Sequence, residues 1–265
     1  MVYLCKNNQE EIILSYIGKD YPKCLYLYID LQKYGCTSLV TKTWMHLVNG
    51  DIKAVLLSYH SALHIYSKDL DFDAEEISHF VVEQNPSIVC ASAGLIRLLE
   101  PLLLSNGFIS EYGYVGKYCG DAMPTLSFDV LKAKKSDIWQ IAQLLYRDED
   151  IGASYSLDDL VKQIQERFND NYVRSYVIKD DDSVVAHLGT GAEIAGLCTI
   201  SYVITAQDYR GKGMSSALFA HACRELKQEG KEIFSVYYPE NSRRIHHKMG
   251  FVDSCEIGKL FRTIE

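Results

Sequence analysis

The amino-acid sequence predicts an α/β (α+β) protein of two domains, each with a mixed central sheet flanked by helices. The chain has 265 residues, enough for two domains of ordinary size. Apolar residues recur at helical spacing in some segments and at strand spacing in others. The two halves present these segments in a similar order, so we infer two structurally related domains, although the sequence identity between them is too weak to prove duplication.

The composition is that of a globular protein, with 48% hydrophobic and 23% charged residues. A net charge of -8 argues against a broad binding surface for nucleic acid or anionic lipid. The eight cysteines form no Cys-x-x-Cys pair or other metal-ligand spacing, and they indicate reduced thiols in a cytoplasmic protein. No signal peptide or membrane-spanning run is predicted. A homodimer is compatible with these observations.

The first half of the chain, residues 1–115, is predicted to form one domain. Its predicted helices are 10–17, 23–34, 73–84 and 93–104, and its predicted strands are 38–48, 52–66, 88–90 and 109–114. Residues 116–124 form the predicted linker, because Gly116, Gly120 and Pro124 interrupt the apolar pattern there.

Residues 125–265 are predicted to form the second domain. A strand at 126–130 precedes a helix that begins at Ser136. A second helix follows Ser156, whose spacing from Asp159 is that of a capping box. The remaining predicted elements are strands at 172–178, 184–188 and 197–205, a helix at 215–229, a strand at 233–237, a helix at 242–249 and a strand from 251 onward.

A glycine-containing loop lies between the predicted strand 197–205 and the helix that follows it. The loop consists of Arg210, Gly211, Lys212, Gly213, Met214 and Ser215. Its glycines permit unusual backbone angles, and its two cations add positive charge at a helix N-terminus, which together predict a phosphate-binding loop. The alternative is a solvated loop with two turn glycines. The spacing matches neither the dinucleotide-binding fingerprint nor a Walker-type loop.

Residues 125–265 resemble the GNAT family of N-acetyltransferases. The family's pyrophosphate loop, Gln/Arg-x-x-Gly-x-Gly/Ala, matches here at Arg210 and Gly213, with Ser215 in the last place. The family's final helix pattern is similar to the segment from Ser242 to Phe251. This resemblance implies a tandem acyl-CoA N-acyltransferase fold, with acetyl-CoA as cofactor and an amine as acceptor, either a small molecule or a peptide.

The resemblance also implies roles for particular residues. The pantetheine arm of acetyl-CoA would pair with backbone groups of Val203, Ile204 and Thr205, which could equally be ordinary buried strand residues. His246 occupies the place of the family's proton-donating tyrosine, and the alternative for it is a structural histidine. Its neighbour His247 faces elsewhere on the helix, so the pair predicts no metal site.

Two further candidates each have a structural alternative. Asn241 would contact the cofactor or cap the helix that begins at Ser242. Glu193 would act through a water as the base that deprotonates the amine, or would be an exposed carboxylate in a loop from Gly189 to Gly196.

The corresponding loop of the first half, residues 68–76, has dense negative charge and no glycine, so we predict a degenerate GNAT-like domain without a cofactor site. The predicted function is transfer of acetyl from acetyl-CoA to an amine by direct attack. The alternative is a non-enzymatic module that senses acetyl-CoA or supports assembly.

Overall fold

A computed structural model describes residues 1–6, 8–120, 128–148, 156–169, 173–238 and 240–262. The chain divides into two compact units. The N-terminal unit contains Met1–Gly116, Tyr237–Arg243 and the chain from Asp253 onward. The C-terminal unit contains Lys117–Val236 and Arg244–Val252. Leaving 3-10 turns aside, the described elements follow the order β, α, α, β, β, β, α, β, α, β twice along the chain.

The N-terminal unit has four helices among its described elements. They are α1 (Glu10–Ile17), α2 (Leu25–Tyr34), α3 (Ala74–Gln84) and α4 (Ala93–Leu103). Its strands are β1 (Val2–Leu4), β2 (Thr41–Val48), β3 (Asp51–Tyr59), β4 (Ala62–Tyr66), β5 (Ile88–Ser92), β6 (Phe108–Tyr118) and, from the end of the chain, β12 (Phe251–Arg262). The strand order in this sheet is β1-β2-β3-β4-β5-β12-β6, and β4 runs parallel to β5.

The alternation of side chains along β3 explains how this sheet is covered on both faces. Val55 and Leu57 pack in the apolar cluster that also holds helix residues of α1 and α2. Leu56, between them, packs in the cluster that holds helix residues of α3 and α4. Because successive residues of a strand point to opposite faces, an unbroken apolar run is what a sheet with helices on both faces requires.

The C-terminal unit repeats this arrangement. Its helices are α5 (Ile138–Tyr146), α6 (Leu157–Asn169), α7 (Met214–Gln228) and α8 (Glu240–Lys248), of which α8 begins in residues of the other unit. Its strands are β7 (Leu131–Lys132), β8 (Ser175–Asp180), β9 (Ser183–Ile194), β10 (Leu197–Thr205) and β11 (Glu232–Tyr237). They follow the order β11-β10-β9-β8-β7, with β10 parallel to β11 and antiparallel to β9. Tyr176 packs with α7 residues, and the next residue, Val177, packs with α5 and α6 residues.

Several predicted boundaries are wrong. The predicted strand 52–66 is two strands, β3 and β4, joined by a turn in which His60 has a φ of 51°. The predicted strand at 126–130 falls partly outside the described residues, and β7 starts only at Leu131. Strand β1 was not predicted, because it has only three residues.

The predicted division at 116–124 also differs from the structure. Strand β6 continues to Tyr118, so the first residues of the predicted linker are in a strand, whereas 121–127 lies outside the described residues. Residues 125–265 were predicted as one domain, but β12 pairs antiparallel with β5, from Ile257 opposite Ser92 to Phe261 opposite Ile88. The end of the chain from Asp253 therefore belongs to the N-terminal unit.

Across the described ranges, no helix has both the length and the hydropathy needed to cross a membrane.

Candidate active site

The parallel strands β10 and β11 pair along only part of their length. The described register begins at Leu197 opposite Glu232 and ends at Ile200 opposite Ser235, while β10 continues to Thr205. Beyond Ile200 the two strands separate. Such a separation leaves backbone N–H and C=O groups on the inner edges of both strands, where a ligand can pair with them.

A bulge in β10 coincides with this separation. Ser201 pairs with Gly189 of β9, and Ile204 pairs with His187. Two residues of β10, Tyr202 and Val203, therefore lie opposite a single residue of β9, Leu188. Tyr202 adopts a φ of 53°, a conformation that a tyrosine rarely takes. The carbonyl oxygen of Tyr202 lies 3.1 Å from Nδ1 of His187, and this contact holds the bulge against the neighbouring strand.

The predicted phosphate loop directly precedes α7. Gly211 and Gly213 have φ values of 77° and 89°, which a residue with a side chain adopts only with strain. A Cβ atom added at Gly211 would meet nothing within 4 Å, so the loop is open on that side. Gly213 is the N-cap of α7 and provides no side-chain cap, which leaves the N–H groups of the first turn available for an anion.

Side chains fix both ends of this loop. The Arg210 guanidinium donates from Nε to the carbonyl oxygen of Thr205 at 3.1 Å and forms an ion pair with Asp148 at 3.4 Å. The Ser215 and Thr205 hydroxyl oxygens lie 2.9 Å apart. The Lys212 ammonium lies 4.6 Å from the centre of the Tyr209 ring. Arg210 and Lys212 thus bring positive charge to the loop, whereas Met214 is buried in the core and contributes its backbone.

The three residues predicted to bind the pantetheine arm have different surroundings. Ile204 and Thr205 are in register with His187 and Ala186 of β9. Val203 lies in the bulge and packs against the cluster that contains α7 residues. The structure therefore places Val203 where backbone groups are released from the ladder, and Ile204 and Thr205 just beyond it.

His246 lies in α8 and is buried in the C-terminal unit. Its Nε2 atom lies 2.8 Å from the hydroxyl oxygen of Ser235, and that hydroxyl donates to the carbonyl oxygen of Ile200 at 3.0 Å. Because the serine proton is already used, the histidine must donate from Nε2. The ring packs edge-on against Phe219 and Phe251, with centroids 5.2 and 5.4 Å away. This geometry favours a structural role for His246. Through Ser235 and Ile200 it lies where β10 and β11 begin to separate.

Glu193 lies in a different environment from the one predicted. The segment predicted as a loop from Gly189 is part of strand β9, which continues to Ile194. Glu193 is buried and forms ion pairs with Arg174 at 2.7 Å and with Lys231 at 3.1 Å. It is in register with Cys198, about 20 Å along β10 from the end at Thr205. The prediction of an exposed loop carboxylate is therefore wrong, and the distance argues against a role as base.

The glycines of this strand misled the prediction, since glycine is typical of loops. A Cβ atom added at Gly191 would lie 2.6 Å from the Ser201 hydroxyl oxygen. Glycine is needed there because the neighbouring strand approaches closely.

Asn241 is exposed and lies within the first turn of α8, which begins at Glu240. It therefore does not cap the helix, because a cap precedes the first helical residue. Pro239, which fills the place of the family's asparagine, lies outside the described residues.

Sequence reasoning missed a polar pair beside the bulge. The Ser175 hydroxyl oxygen lies 2.6 Å from Nε2 of His187, which is buried. The signal in the sequence was a histidine, His187, inside an otherwise apolar strand segment. A buried histidine requires hydrogen-bond partners. In the described part of the chain, no three His, Cys, Asp or Glu side chains are grouped so that they could hold a metal ion.

Comparison with known proteins identifies a family for part of the chain. Residues 137–251 match the model of the acetyltransferase (GNAT) family. A search of curated proteins finds no match to the sequence. A GNAT-family acetyltransferase from Colwellia psychrerythraea is similar in structure, with a TM-score of 0.62 and 11% identity over 99% of this chain and 100% of its own.

Two further solved structures cover nearly the whole chain. A Drosophila protein has a TM-score of 0.70 and 12% identity, with 99% of this chain and 98% of its own covered. A tandem GNAT protein from the clavulanic acid biosynthesis pathway has a TM-score of 0.60 and 8% identity, with 98% and 97% covered. Likeness at this identity concerns the fold. Residues 137–251 therefore form a domain of the acetyltransferase (GNAT) family, in a chain that has the tandem GNAT fold.

Proposed function

We propose that the C-terminal unit transfers acetyl from acetyl-CoA to an amine by direct attack of the amine nitrogen. The observation that carries this proposal is the position of the uncapped N-terminus of α7. This N-terminus comes after strand β10 and the short loop 206–213. Strand β10 bulges at Tyr202 and separates from β11. A helix N-terminus binds phosphate, and the freed strand edge can bind a peptide-like arm.

The residues present fit the cofactor. The N–H groups from Gly211 to Ser215 would hold the diphosphate, with Arg210 and Lys212 adding positive charge. The bulge residue Val203 would pair with the pantetheine arm, as would the backbone of Ile204 and Thr205 where it is free of β9. Acetyl-CoA supplies the acetyl group as a thioester. The buried hydroxyl oxygen of Ser201, next to the bulge, has no hydrogen-bond partner among the described residues, as expected of a group that a ligand completes.

The N-terminal unit is not expected to bind a second cofactor. The N-terminus of α3, which corresponds in element order to α7, is capped by Asp73, whose carboxylate accepts from the N–H of Glu76 at 2.9 Å. Glu75 and Glu76 add negative charge in the same turn. A diphosphate would be repelled there, so titration of the full chain with coenzyme A should saturate near one equivalent.

A specific observation favours a second candidate function, a non-enzymatic module that senses acetyl-CoA or supports assembly. Both side chains that the sequence assigned to proton transfer have structural partners, His246 with Ser235 and Glu193 with Arg174. Release of coenzyme A thiol in the presence of a panel of amines distinguishes the two functions, since a sensor releases none beyond hydrolysis.

The test of the cofactor site is Gly213→Val. A β-branched side chain at a φ of 89° strains the loop and obstructs the approach of phosphate, so coenzyme A affinity should fall at least about 10-fold. Gly230→Val is the matched control, because Gly230 also has a positive φ, 75°, but follows the far end of α7. Calorimetric titration that shows the same affinity in folded Gly213→Val protein and the control would exclude this site.

A further inference from the structure

A pocket of about 290 Å³ lies in the N-terminal unit, beside the C-terminus of helix α3. Its floor comes from neighbouring positions on β2, β3 and β4, where Lys42 is paired with Ser58 and Ser58 with Leu63. Leu63 is buried, Ser58 is half-buried and Lys42 is exposed, so this row of the sheet is only partly covered. The next row on the same face belongs to the core, and there Trp44 packs edge-on against Phe80 of α3, with centroids 5.1 Å apart. The pocket thus begins where the cover provided by α3 ends.

Backbone hydrogen bonds tie the walls of the pocket together. The turn between β3 and β4 is bonded to the segment before β2, because the N–H of His60 donates to the carbonyl oxygen of Val40 at 3.2 Å. The same turn is bonded to the chain after α3, since the N–H of Ser87 donates to the carbonyl oxygen of Ser61 at 2.9 Å. These bonds fix the shape of the pocket before a ligand binds, which lowers the cost of binding.

One side of the pocket carries a positive charge that no carboxylate neutralises. Lys42 lines the pocket, and no Asp or Glu is among its described lining residues, although the chain as a whole has a net charge of -8. Within the described ranges, the Lys42 ammonium forms no ion pair or hydrogen bond. Such a lysine favours an anionic group on a ligand.

The other side of the pocket favours positive charge on a ligand. It is formed by Gln84, Asn85 and Pro86, at the end of α3. The last carbonyl groups of a helix lack partners within it and carry partial negative charge. The last turn of α3 has no basic side chain, and Arg262, which donates to the Asn85 side chain, is not among the described lining residues. Because the chain after α3 is bonded to the turn before β4, this side lies two strands, about 10 Å, from the backbone of Lys42.

We propose that this pocket binds a free amino acid with an apolar side chain, which pairs its carboxylate with Lys42 and its ammonium with the carbonyl groups at the end of α3. A ligand with both charges suits both sides of the pocket. A simple anion has no group for the helix end, and a simple cation is repelled by Lys42. The apolar part of the ligand would pack on Leu63 and on the exposed part of Trp44.

This inference is independent of the proposed acetyl transfer. The volume of the pocket is close to the lower limit of the roughly 300–1,000 Å³ that small-molecule sites have, so it suits a ligand of the size of an amino acid. Asp73 closes the N-terminus of α3 to a diphosphate, and the proposed site lies at the opposite end of the same helix. The N-terminal unit thereby has a ligand of its own.

Titration of the full chain with three ligands tests the two charges. L-leucine carries both charges, 4-methylpentanoate lacks the ammonium and 3-methylbutylamine lacks the carboxylate, while all three share the apolar part. Leucine should bind with a Kd below about 1 mM, and each analogue should bind at least about 10-fold more weakly. The NMR signal of the Trp44 indole N–H reports binding. The signal of Trp139, the other tryptophan, is the reference that should not move, because Trp139 is exposed on α5, and Trp139→Phe assigns the two signals.

Lys42→Met tests the positive side, because it removes the ammonium and keeps most of the apolar stem. Leucine should bind at least about 10-fold more weakly to this variant, whereas 3-methylbutylamine, which has no carboxylate, should bind no more weakly than to the parent. Lys19→Met, at an exposed position outside the pocket, is the control and should keep the parental affinity for leucine.

Gln84→Lys tests the helix end. A lysine in the last turn of α3 offers its own ammonium to the helix carbonyl groups, so leucine and 3-methylbutylamine should both bind at least about 5-fold more weakly. Gln32→Lys makes the same change at an exposed position in the last turn of α2, and it should leave both affinities unchanged.

Three results would each overturn the inference. If leucine does not move the Trp44 signal, the pocket does not bind this class of ligand. If 4-methylpentanoate binds as tightly as leucine, the helix end does not recognise an ammonium. If Lys42→Met keeps the parental affinity for leucine, the carboxylate is not bound by Lys42.

Discussion

The hydroxyl oxygens of Thr205 and Ser215 lie 2.9 Å apart, which joins the last residue of β10 to the first turn of α7. The nine residues between them form the phosphate loop and its approach. This bond holds the ends of the loop at a fixed separation, so that the N–H groups keep their direction without a bound anion.

Ser215→Ala should therefore weaken coenzyme A binding about 3- to 10-fold and lower the free energy of unfolding by about 1 kcal/mol. Calorimetric titration and urea denaturation measure the two effects. Ser216→Ala, at the next position of the same helix turn, is the control. Equal affinities for the two alanine variants would show that the Thr205–Ser215 bond does not organise the loop.

Gly191→Ala should destabilise the protein, since the added Cβ atom would lie 2.6 Å from the Ser201 hydroxyl oxygen and 3.0 Å from that of Thr199. We expect a loss of about 1–3 kcal/mol in the free energy of unfolding, as for overpacked cores. Gly196→Ala is the matched control in the adjacent turn, where an added Cβ atom meets nothing within 4 Å. It should be neutral or slightly stabilising. Similar denaturation midpoints for the two variants would contradict the close approach of β9 and β10.

Arg174→Met should lower the free energy of unfolding by about 3 kcal/mol, because it removes an ion-pair partner of the buried Glu193 carboxylate and leaves that charge to Lys231. Arg174 also pairs with Glu225 at 3.0 Å and with Glu229. The exposed Arg224→Met is the control, with an expected change below about 0.5 kcal/mol. Parental stability in Arg174→Met would show that the network is dispensable.

The same network predicts a dependence of stability on acid pH. The hydrogen bond from Arg174 lowers the pKa of Glu229 below its usual value. A carboxylate whose pKa is lower in the folded state contributes stability above its unfolded pKa, and the contribution is lost as the pH falls through the folded pKa. Unfolding free energies measured between about pH 3 and 5 should therefore decline less steeply in Arg174→Met than in the parent. Parallel declines would contradict the assignment.

His246→Phe should lower the free energy of unfolding by about 1–3 kcal/mol, because it removes the donor to Ser235 from a buried position. Turnover measured where the variant is folded should change less than about 3-fold. The exposed neighbour His247→Phe is the control for adding a ring to this helix. A large fall in kcat at unchanged stability would instead restore His246 as the proton donor.

The periodic part of the fold was predictable from the sequence. Helix α7 was predicted at 215–229 and lies at Met214–Gln228, and strand β10 was predicted with its observed bounds, 197–205. Both depend on local apolar spacing, and the helix is in addition bounded by Gly213 and Gly230, which have positive φ. The loop at 210–215 was predicted from the same kind of local pattern, because Gly211 and Gly213, which both have positive φ, lie close together in the sequence.

The parts that were missed depend on residues distant in sequence. Glu193 was assigned to a loop because the reason for Gly191, the nearby Ser201 hydroxyl, lies ten residues away on another strand. The partners of His187 are Ser175 and Tyr202, on two different strands. Such pairs form only once the strand register and the bulges are formed. Neither the register nor a bulge produces a recognisable pattern in the local sequence.

Strand β12 lies between β5 and β6 in the sheet of the N-terminal unit, although it ends the described chain at Arg262. During synthesis, β5 and β6 emerge from the ribosome well over a hundred residues before this neighbour is available. The N-terminal unit therefore cannot complete its sheet as an early, independent folding step, and β5 and β6 keep unpaired edges until β12 has been synthesised. A chain that stops early, after the phosphate loop and α7 are made, would leave these edges open to other chains.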